Sequence, residues 1–388
     1  MAMSIRGLLR NNLKFLSSSI LKPVSNNASR SLYSASSLAI DAYAEARRHV
    51  TNQFESVAQT FRAKMTEFTS EDNKSIIFTE DLKAMLHIVD SNKEDVDLVM
   101  KMLKKFHTQN NELRFGNYVF GPVVMRAFFY LDLPDVALEA FKDPQLQGFF
   151  DQLTSYQILL ALLYNHKRYG EMREVYDLIK TKYTGGIMHP QNSVILVLAA
   201  CYRENTPESF QYALDLWKEL HKKGFEPNRK AVCLISTLAL NQGKPEFALE
   251  LISSCPQFRH IDVRCIKIQA YTDLNRLDDV AQFIKKMLRS ERFTKESATT
   301  ITFFQDTIAK VEEALNKAGT EQNEELVRIL DELKTQNLVQ NKTLEESLTR
   351  TIERRRPTDR QNNTNTSRYG GGSSDFKGFQ RQRTGMKF

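Results

Sequence analysis

The side chains whose type and spacing could support chemistry in this chain are mostly cations that lie next to or near one another in the sequence. The pairs in the middle of the chain are Lys222 with Lys223, Arg229 with Lys230, Arg264 with Lys267, and Lys285 with Lys286. Clustered cations neutralise phosphates and release counterions, which makes binding salt-dependent. The alternative is a solvated helix surface, and Lys222 with Lys223 also suits a helix C-terminus. The pattern therefore predicts anion contacts mainly at Arg229, Lys230, Arg264 and Lys267.

Residues that could act in catalysis or hold a metal are not spaced for it. The seven histidines form no zinc-binding pair of the His-x-x-x-His type, and the four cysteines contain no Cys-x-x-Cys pair. The sequence also has no phosphate-binding P-loop, no dinucleotide-binding glycine motif after a strand and no nucleophile elbow. We therefore predict a non-enzymatic binding protein with no catalytic residue, no metal ligand and no cofactor.

Charge is distributed unevenly along the 388 residues. The formal net charge of +7 combines +5 in residues 1–40 with +7 in residues 350–388, so the body between them carries −5. Within this body only residues 154–300 are positive, at +5. The composition, 41% hydrophobic and 26% charged, is ordinary for a folded protein, and no apolar run is long enough to cross a bilayer. The sequence predicts a weakly acidic body between two basic ends, without a membrane span.

The first forty residues have the composition of a mitochondrial transit peptide. They contain no acidic residue, are rich in serine, and carry cations at every fourth position from Arg6 to Lys14 beside an apolar stripe. The alternative is an amphipathic surface helix or a basic disordered leader. Arg30, a few residues before an aromatic and small residues, predicts cleavage near residues 32–36. We assign residues 1–34 to the leader and predict import into the mitochondrial matrix.

From residue 41 to about 355 the apolar residues follow helical periodicity, and the middle of the chain repeats itself. An apolar anchor recurs about every 35 residues, at Phe141, Tyr176, Trp217, Ile252 and Ile284. In three of the five units an alanine lies four residues before the anchor, where it lets neighbouring helices approach closely. A period near 35 with two helices per unit predicts an all-α fold, an α-solenoid of helix-turn-helix repeats.

Further helices are expected on either side of these repeats. Upstream, Thr79 can cap a helix to about Val89, and another is expected from Lys93 to about His107. The predicted domains are an N-terminal helical region with a degenerate repeat at residues 41–110, the repeat solenoid at 111–300, a C-terminal helical cap at 301–356 and a disordered tail at 357–388.

The tail cannot bury a core, and its interleaved cations and aromatic rings suit phosphate pairing and base stacking. A merely solubilising tail is equally compatible with this composition.

Two segments resemble the pentatricopeptide repeat. Residues 212–228, YALDLWKELHKKGFEPN, resemble its second helix and linker, and residues 154–160, TSYQILL, resemble the start of its first helix. The Gly-x-x-Pro-Asn linker separates this repeat from the tetratricopeptide kind, whereas the remaining units are diverged. The resemblance implies a mitochondrial protein that binds single-stranded RNA and acts in the processing or stability of transcripts, and thereby in respiratory-chain function.

In pentatricopeptide proteins a base is read by a polar residue early in the first helix together with the last residue of the repeat. The aligned helix positions are Gln157, Ile195 or Leu196, Cys233 and Cys265, of which only Gln157 can hydrogen-bond a base edge well. No sequence preference is therefore predicted. The candidate RNA contacts are Gln157, Gln191, Asn228, Arg229, Lys230, Arg264 and Lys267 in the repeats, and Arg368, Tyr369, Phe376, Arg381 and Arg383 in the tail.

Two kinds of partner remain open from the sequence. The first is mitochondrial single-stranded RNA, held for processing enzymes or ribosomal proteins that supply the chemistry. The second is a protein ligand, in which case the chain is a matrix scaffold for an assembly factor or the ribosome. The weak base-reading pattern favours the scaffold, whereas the positive repeat block and the tail favour RNA.

Overall fold

The computed structural model describes residues 31–70, 73–113, 118–182, 186–257, 259–293, 301–319 and 323–353. The predicted leader up to residue 30 and the predicted tail lie outside the described residues. The helices are α1 Ile40–Phe54, α2 Ala58–Phe68, α3 Thr79–Ile88, α4 Lys93–Leu113, α5 Gly121–Tyr130, α6 Pro134–Lys142, α7 Leu153–Asn165, α8 Tyr169–Lys182, α9 Gln191–Glu204, α10 Pro207–Lys222, α11 Arg229–Asn241, α12 Pro245–Ser253, α13 Ile261–Asp273, α14 Leu277–Phe293, α15 Gln305–Ala318, α16 Glu324–Thr335 and α17 Leu344–Leu348. Two short strands, β1 Phe303–Phe304 and β2 Val339–Gln340, pair in parallel.

Helices α1 to α16 form a stack of helical pairs. The odd-numbered helices contact one another in sequence from α1 to α15, and the even-numbered helices from α4 to α14 pack against this row. Polar side chains join positions about one repeat apart, as in the 3.0 Å bond from the Tyr212 hydroxyl to Asp177 and the 2.7 Å ion pair between Lys310 and Asp273. These contacts confirm the predicted all-α solenoid.

The predicted helix boundaries have identifiable local causes. Pro134, Pro207 and Pro245 are the first residues of their helices, where the missing N–H has no intrahelical partner to lose. Gly224 follows α10 with φ at 68°, and the next N–H donates to the carbonyl of Leu220, which ends the helix.

Thr79 is not the cap that the sequence predicted for α3. It is the first helical residue, and the backbone N–H of Phe78 before it donates to the Asp81 carboxylate at 3.1 Å. A carboxylate at the third helical position therefore accepts the N–H of the N-cap residue, whereas an N-cap threonine hydroxyl would accept an N–H from inside the first turn.

The predicted anchors form the seam between repeats. The side chains at all five anchor positions are buried, and Ala137, Ala213 and Ala248 have no exposed surface. A larger residue at those alanines would push neighbouring helices apart. The sequence-derived register of the repeats is thus confirmed.

The predicted C-terminal helical region ends the stack and then turns back. Helix α15 packs on α13 and α16 packs on α14, so residues 305–335 continue both rows by one further pair. After β2 the chain reverses, and α17 packs against α13 and α11. The last described residues therefore run along the row of odd-numbered helices, here called the inner face.

Residues near the two ends of the described chain meet on this inner face. Tyr33 forms a parallel backbone bridge with Ile352, and the N–H of Ile352 donates to the carbonyl of Leu32 at 2.8 Å. We call residues 31–38 and 344–352 together the terminal clasp.

Leu32 and Tyr33 are buried, so the fold fits a leader that ends before Leu32 better than the predicted boundary at residue 34. The leader itself remains a prediction.

None of the helices in the described ranges combines the length and apolarity needed to cross a bilayer.

Candidate nucleic-acid interface

An open cavity of about 1060 Å³ lies where three successive repeats meet. It is bordered by the start of α7, by the link before α9 with the start of α9, and by the link before α11. Two of the predicted RNA contacts, Gln157 and Gln191, line it together. The repeat geometry thus brings together residues that are 34 positions apart in the sequence.

The polar side of the cavity consists of amides. The Asn192 amide N–H donates to the side-chain oxygen of Gln157 at 3.0 Å, and the Tyr33 hydroxyl donates to the Asn192 oxygen at 3.2 Å. Since Gln157 uses its oxygen for this bond, its NH₂ group can still donate to a ligand. Asn192 was not predicted, because only the bond across one repeat reveals its part in the site.

The apolar side of the cavity is formed by Leu153, Ile187 and Phe225. Leu153 and Ile187 are 39% and 43% exposed, which is unusual for large aliphatic side chains in this chain, and Phe225 is half-buried. An apolar wall opposite a row of amides suits a flat ligand with apolar faces and a polar edge.

A buried histidine fixes the link that carries Ile187 and Gln191. The Nδ1 atom of His189 lies 2.9 Å from the Tyr176 hydroxyl, and its Nε2 atom lies 3.6 Å from the Glu219 carboxylate. Burial lowers the pKa of His189, which favours the neutral imidazole. Sequence reasoning missed this contact, because its only signal was an isolated histidine before a proline.

The cavity has little net charge. Lys223 lies at its rim, where its ammonium group donates to Glu219 at 2.8 Å. Burial alone would raise the pKa of Glu219, but Lys223 and Lys180 hold it below its usual value, so the carboxylate stays ionised. Glu226 adds a second carboxylate to the lining. Recognition here would depend on hydrogen bonds and apolar contact more than on phosphate neutralisation.

Arg264 is removed from the candidate RNA contacts. Its side chain is 4% exposed, and its guanidinium donates to the backbone carbonyls of Thr302, at 2.6 Å, and Arg259. It also lies over the ring of Phe303. The sequence prediction failed because residues 302–304 return to cover the start of α13, which periodicity within one repeat does not reveal.

Lys230 and Lys267 are also engaged within the chain. The Lys230 ammonium donates to the carbonyl of Arg350 at 2.7 Å, and burial lowers its pKa to about 8. The Lys267 ammonium lies over the rings of Tyr271 and Phe283, at 5.9 and 5.3 Å from the centroids. Both cations are therefore already engaged within the chain, and their contact with RNA stays a prediction.

Asn228 and Arg229 lie at the next junction along the stack. The Asn228 side chain accepts the N–H of Lys230 at 3.0 Å and thereby caps α11. The Arg229 guanidinium donates to Gln257 at 3.0 Å. Both residues stay partly or fully accessible, so they remain predicted contacts outside the cavity. Arg368, Tyr369, Phe376, Arg381 and Arg383 lie outside the described residues.

In the parts of the chain that the structure describes, no group of three or more His, Cys, Asp or Glu side chains is arranged to hold a metal ion. The four cysteines are buried free thiols.

No family model matches the chain. The chain is 31% identical over 242 residues to pentatricopeptide repeat-containing protein 2, mitochondrial, of Mus musculus, covering 62% of this chain and 61% of the mouse protein. The protein of the same name from Homo sapiens is 29% identical over 261 residues, covering 67% and 64%. That from Danio rerio is 36% identical over 178 residues, covering 46% and 45%. The matched region spans less than two thirds of each relative. Together with the stacked helical pairs, these matches confirm the predicted resemblance: the chain is similar to the mitochondrial pentatricopeptide repeat-containing protein 2 of several vertebrates.

Proposed function

We propose that this chain is an RNA-binding protein of the mitochondrial matrix that acts in the processing or stability of mitochondrial transcripts. It would act as a non-catalytic adaptor and support respiratory-chain function through those transcripts. The observation that carries the proposal is the amide-lined cavity, which joins Gln157 and Gln191 at the start of two first helices. The mitochondrial names of the relatives support the location.

The chemistry of the cavity suits an unpaired nucleobase. A base has two flat apolar faces and an edge of hydrogen-bond donors and acceptors, which proteins read in single-stranded RNA by stacking and by polar side chains. Leu153 and Ile187 offer apolar contact to the faces. Gln157 offers its NH₂ group as a donor to the edge, and Gln191 offers both a donor and an acceptor. Lys223 at the rim can approach one phosphate.

The proposal is tested by RNA affinity of cavity variants. Residues 31–388 are titrated into a fluorescent, unstructured RNA at fixed salt, and fluorescence anisotropy is recorded for the wild type, Gln157→Ala and Gln191→Ala. Loss of one hydrogen bond to a base is worth about 1 kcal/mol, so each variant should bind roughly fivefold more weakly.

Gln211→Ala is the matched control, because Gln211 is an exposed glutamine on α10 that bonds only within its own helix, to Asp215. Its affinity should equal that of the wild type. Wild-type affinity in both cavity variants would contradict a base site at this cavity.

The near-neutral rim of the cavity also favours a second candidate, a scaffold that holds an apolar side chain of a protein partner between Leu153 and Ile187. Crosslinking of the chain in isolated mitochondria separates the two: RNA attached to the chain supports the first proposal, and a protein attached through the cavity without RNA supports the scaffold.

A further inference from the structure

The inner face of the stack is covered by the chain itself. Helices α9 and α11 each bury ten consecutive residues, 193–202 and 231–240, so neither helix presents a solvent-facing side over that length. An amphipathic helix at an open surface would instead show exposed positions every three or four residues. The covering elements include α17, which packs on α11 and α13.

The terminal clasp is held by buried apolar residues as well as by backbone bonds. Leu32 and Leu38 in its first part, and Leu344 and Leu348 in its second part, are at most 3% exposed. The N–H of Ile352 donates to Leu32, and the N–H of Ser34 donates back to Ile352 at 3.3 Å. Opening the clasp would expose apolar surface of both segments to water, which is unfavourable in free energy.

The clasp also occupies polar groups that an RNA strand would otherwise use on this face. Glu345 accepts from Arg203 at 2.7 Å, and the carbonyl of Arg350 accepts from Lys230 at 2.7 Å. The hydroxyl of Ser347 donates to Asp262 at 2.5 Å. The acceptors of the clasp thus lie where phosphate oxygens would have to lie.

We infer that the inner face stays closed when RNA binds, and that RNA contacts the repeats at the open cavity beside the clasp and not along the inner face. At one base per repeat, the three repeats that border the cavity take about three unpaired nucleotides. This inference rests on the proposed function and narrows its ligand to a short unpaired segment. The Tyr33 hydroxyl, which bonds Asn192, marks the boundary between the clasp and the cavity.

Hydrogen exchange of residues 31–388 tests the closed state directly. The amide hydrogens of Ser34 and Ile352 should exchange slowly in the free protein, and their rates should stay the same when an unstructured 12-nucleotide RNA is added at saturation. The link from Gly186 to Gln191 should exchange more slowly with RNA. Faster exchange of the clasp upon RNA binding would overturn the inference while leaving the proposed function intact.

A locked clasp tests the same point by affinity. In the double variant Arg203→Cys, Glu345→Cys the two thiols lie at partly exposed positions, and a short bismaleimide joins them, while the four native thiols are buried. The control is the same variant with both thiols capped singly by N-ethylmaleimide. Circular dichroism checks that both forms are folded.

Locked and capped forms should bind the 12-nucleotide RNA with equal affinity. A tenfold or greater loss in the locked form would show that RNA enters the inner face and would overturn the inference. Absence of binding in the wild type and in both forms would instead overturn the proposed function, and a protein crosslinked at the cavity would favour the scaffold.

Discussion

Arg264 shows what happens to a cation at the start of a first helix when a later part of the chain packs over it. Its guanidinium holds two backbone carbonyls, one before α13 and one before β1. Hydrogen bonds made by a charged group are worth about 1.5–3 kcal/mol each. Arg264 is therefore a structural residue, and the same reasoning applies wherever a cation of the repeat block bonds to a neighbouring repeat.

Replacing Arg264 should destabilise the fold without affecting RNA binding by the folded fraction. We expect Arg264→Ala to lower the free energy of unfolding by about 2–4 kcal/mol, because two carbonyls lose their donor. Urea unfolding followed by circular dichroism measures this. Lys286→Ala, at an exposed position of α14, should change it by less than about 0.5 kcal/mol. A stable Arg264→Ala protein with weakened RNA affinity would restore Arg264 as a phosphate contact.

Lys230 should make stability depend on pH. Its folded pKa of about 8 lies below the ordinary value of 10.5, chiefly because of burial, with Arg229 and Arg350 adding to the effect and Asp262 opposing it. Between these two values the unfolded chain binds the extra proton, so the contribution of Lys230 to stability rises with pH; below pH 8 both states are protonated and it is constant.

The free energy of unfolding of the wild type should therefore rise relative to that of Lys230→Met by about 2 kcal/mol between pH 7.5 and pH 9.5. Urea unfolding at the two pH values measures this shift. Lys286→Met is the control and should show no such shift. A constant difference for Lys230→Met would mean that Lys230 is not desolvated by the clasp.

At the level of helices and segments, the sequence predicted the packing within one repeat but missed the contacts between segments that are far apart in the chain. The anchors Phe141 and Trp217 are buried as predicted because helical spacing determines which side of a helix faces its neighbours. The clasp could not be predicted in this way. The bond from the Thr351 hydroxyl to the carbonyl of Ser31 joins residues 320 positions apart. Neither segment has a sequence pattern from which the other could be identified as its partner.

Removal of residues 31–34 should weaken the folded body. Leu32 and Tyr33 are both buried, and burial of each large side chain is worth about 1.5–3 kcal/mol, so residues 35–388 should unfold with about 3–5 kcal/mol less free energy than residues 31–388. Urea unfolding compares the two. Tyr33→Phe, which loses only the bond to Asn192, is the milder control and should cost about 1 kcal/mol. Equal stability of the two proteins would show that the first part of the clasp is dispensable.

At the scale of the whole molecule, some residues of the site could be predicted from the sequence, whereas the contacts between them could not. Gln157 was predicted from its position in the repeat, and Gln191 from the end of the repeat, and both line the cavity. Within the predicted basic groove Arg264 is buried, and Lys230 and Lys267 are engaged within the chain, because counting charge along a segment does not show which cations already have partners. Several cations of residues 154–300 form ion pairs with a neighbouring repeat, as Arg168 does with Asp135 and Arg173 with Glu204.

If the body offers RNA a nearly neutral cavity, the basic tail must supply most of the salt dependence of binding. Residues 357–388 contain six cations, and each phosphate that is neutralised on a single strand adds about 0.7 to the slope of log affinity against log salt. Residues 31–388 should show a slope of up to about −5, and residues 31–356 a slope near −1, from Lys223 alone. Anisotropy titrations at four salt concentrations measure both. Gln157→Ala in each background is the control, since it should weaken binding by the same factor without changing either slope. An unchanged slope after removal of the tail would place the phosphate contacts on the repeats instead, and Asn228 with Arg229 would then be the first residues to test.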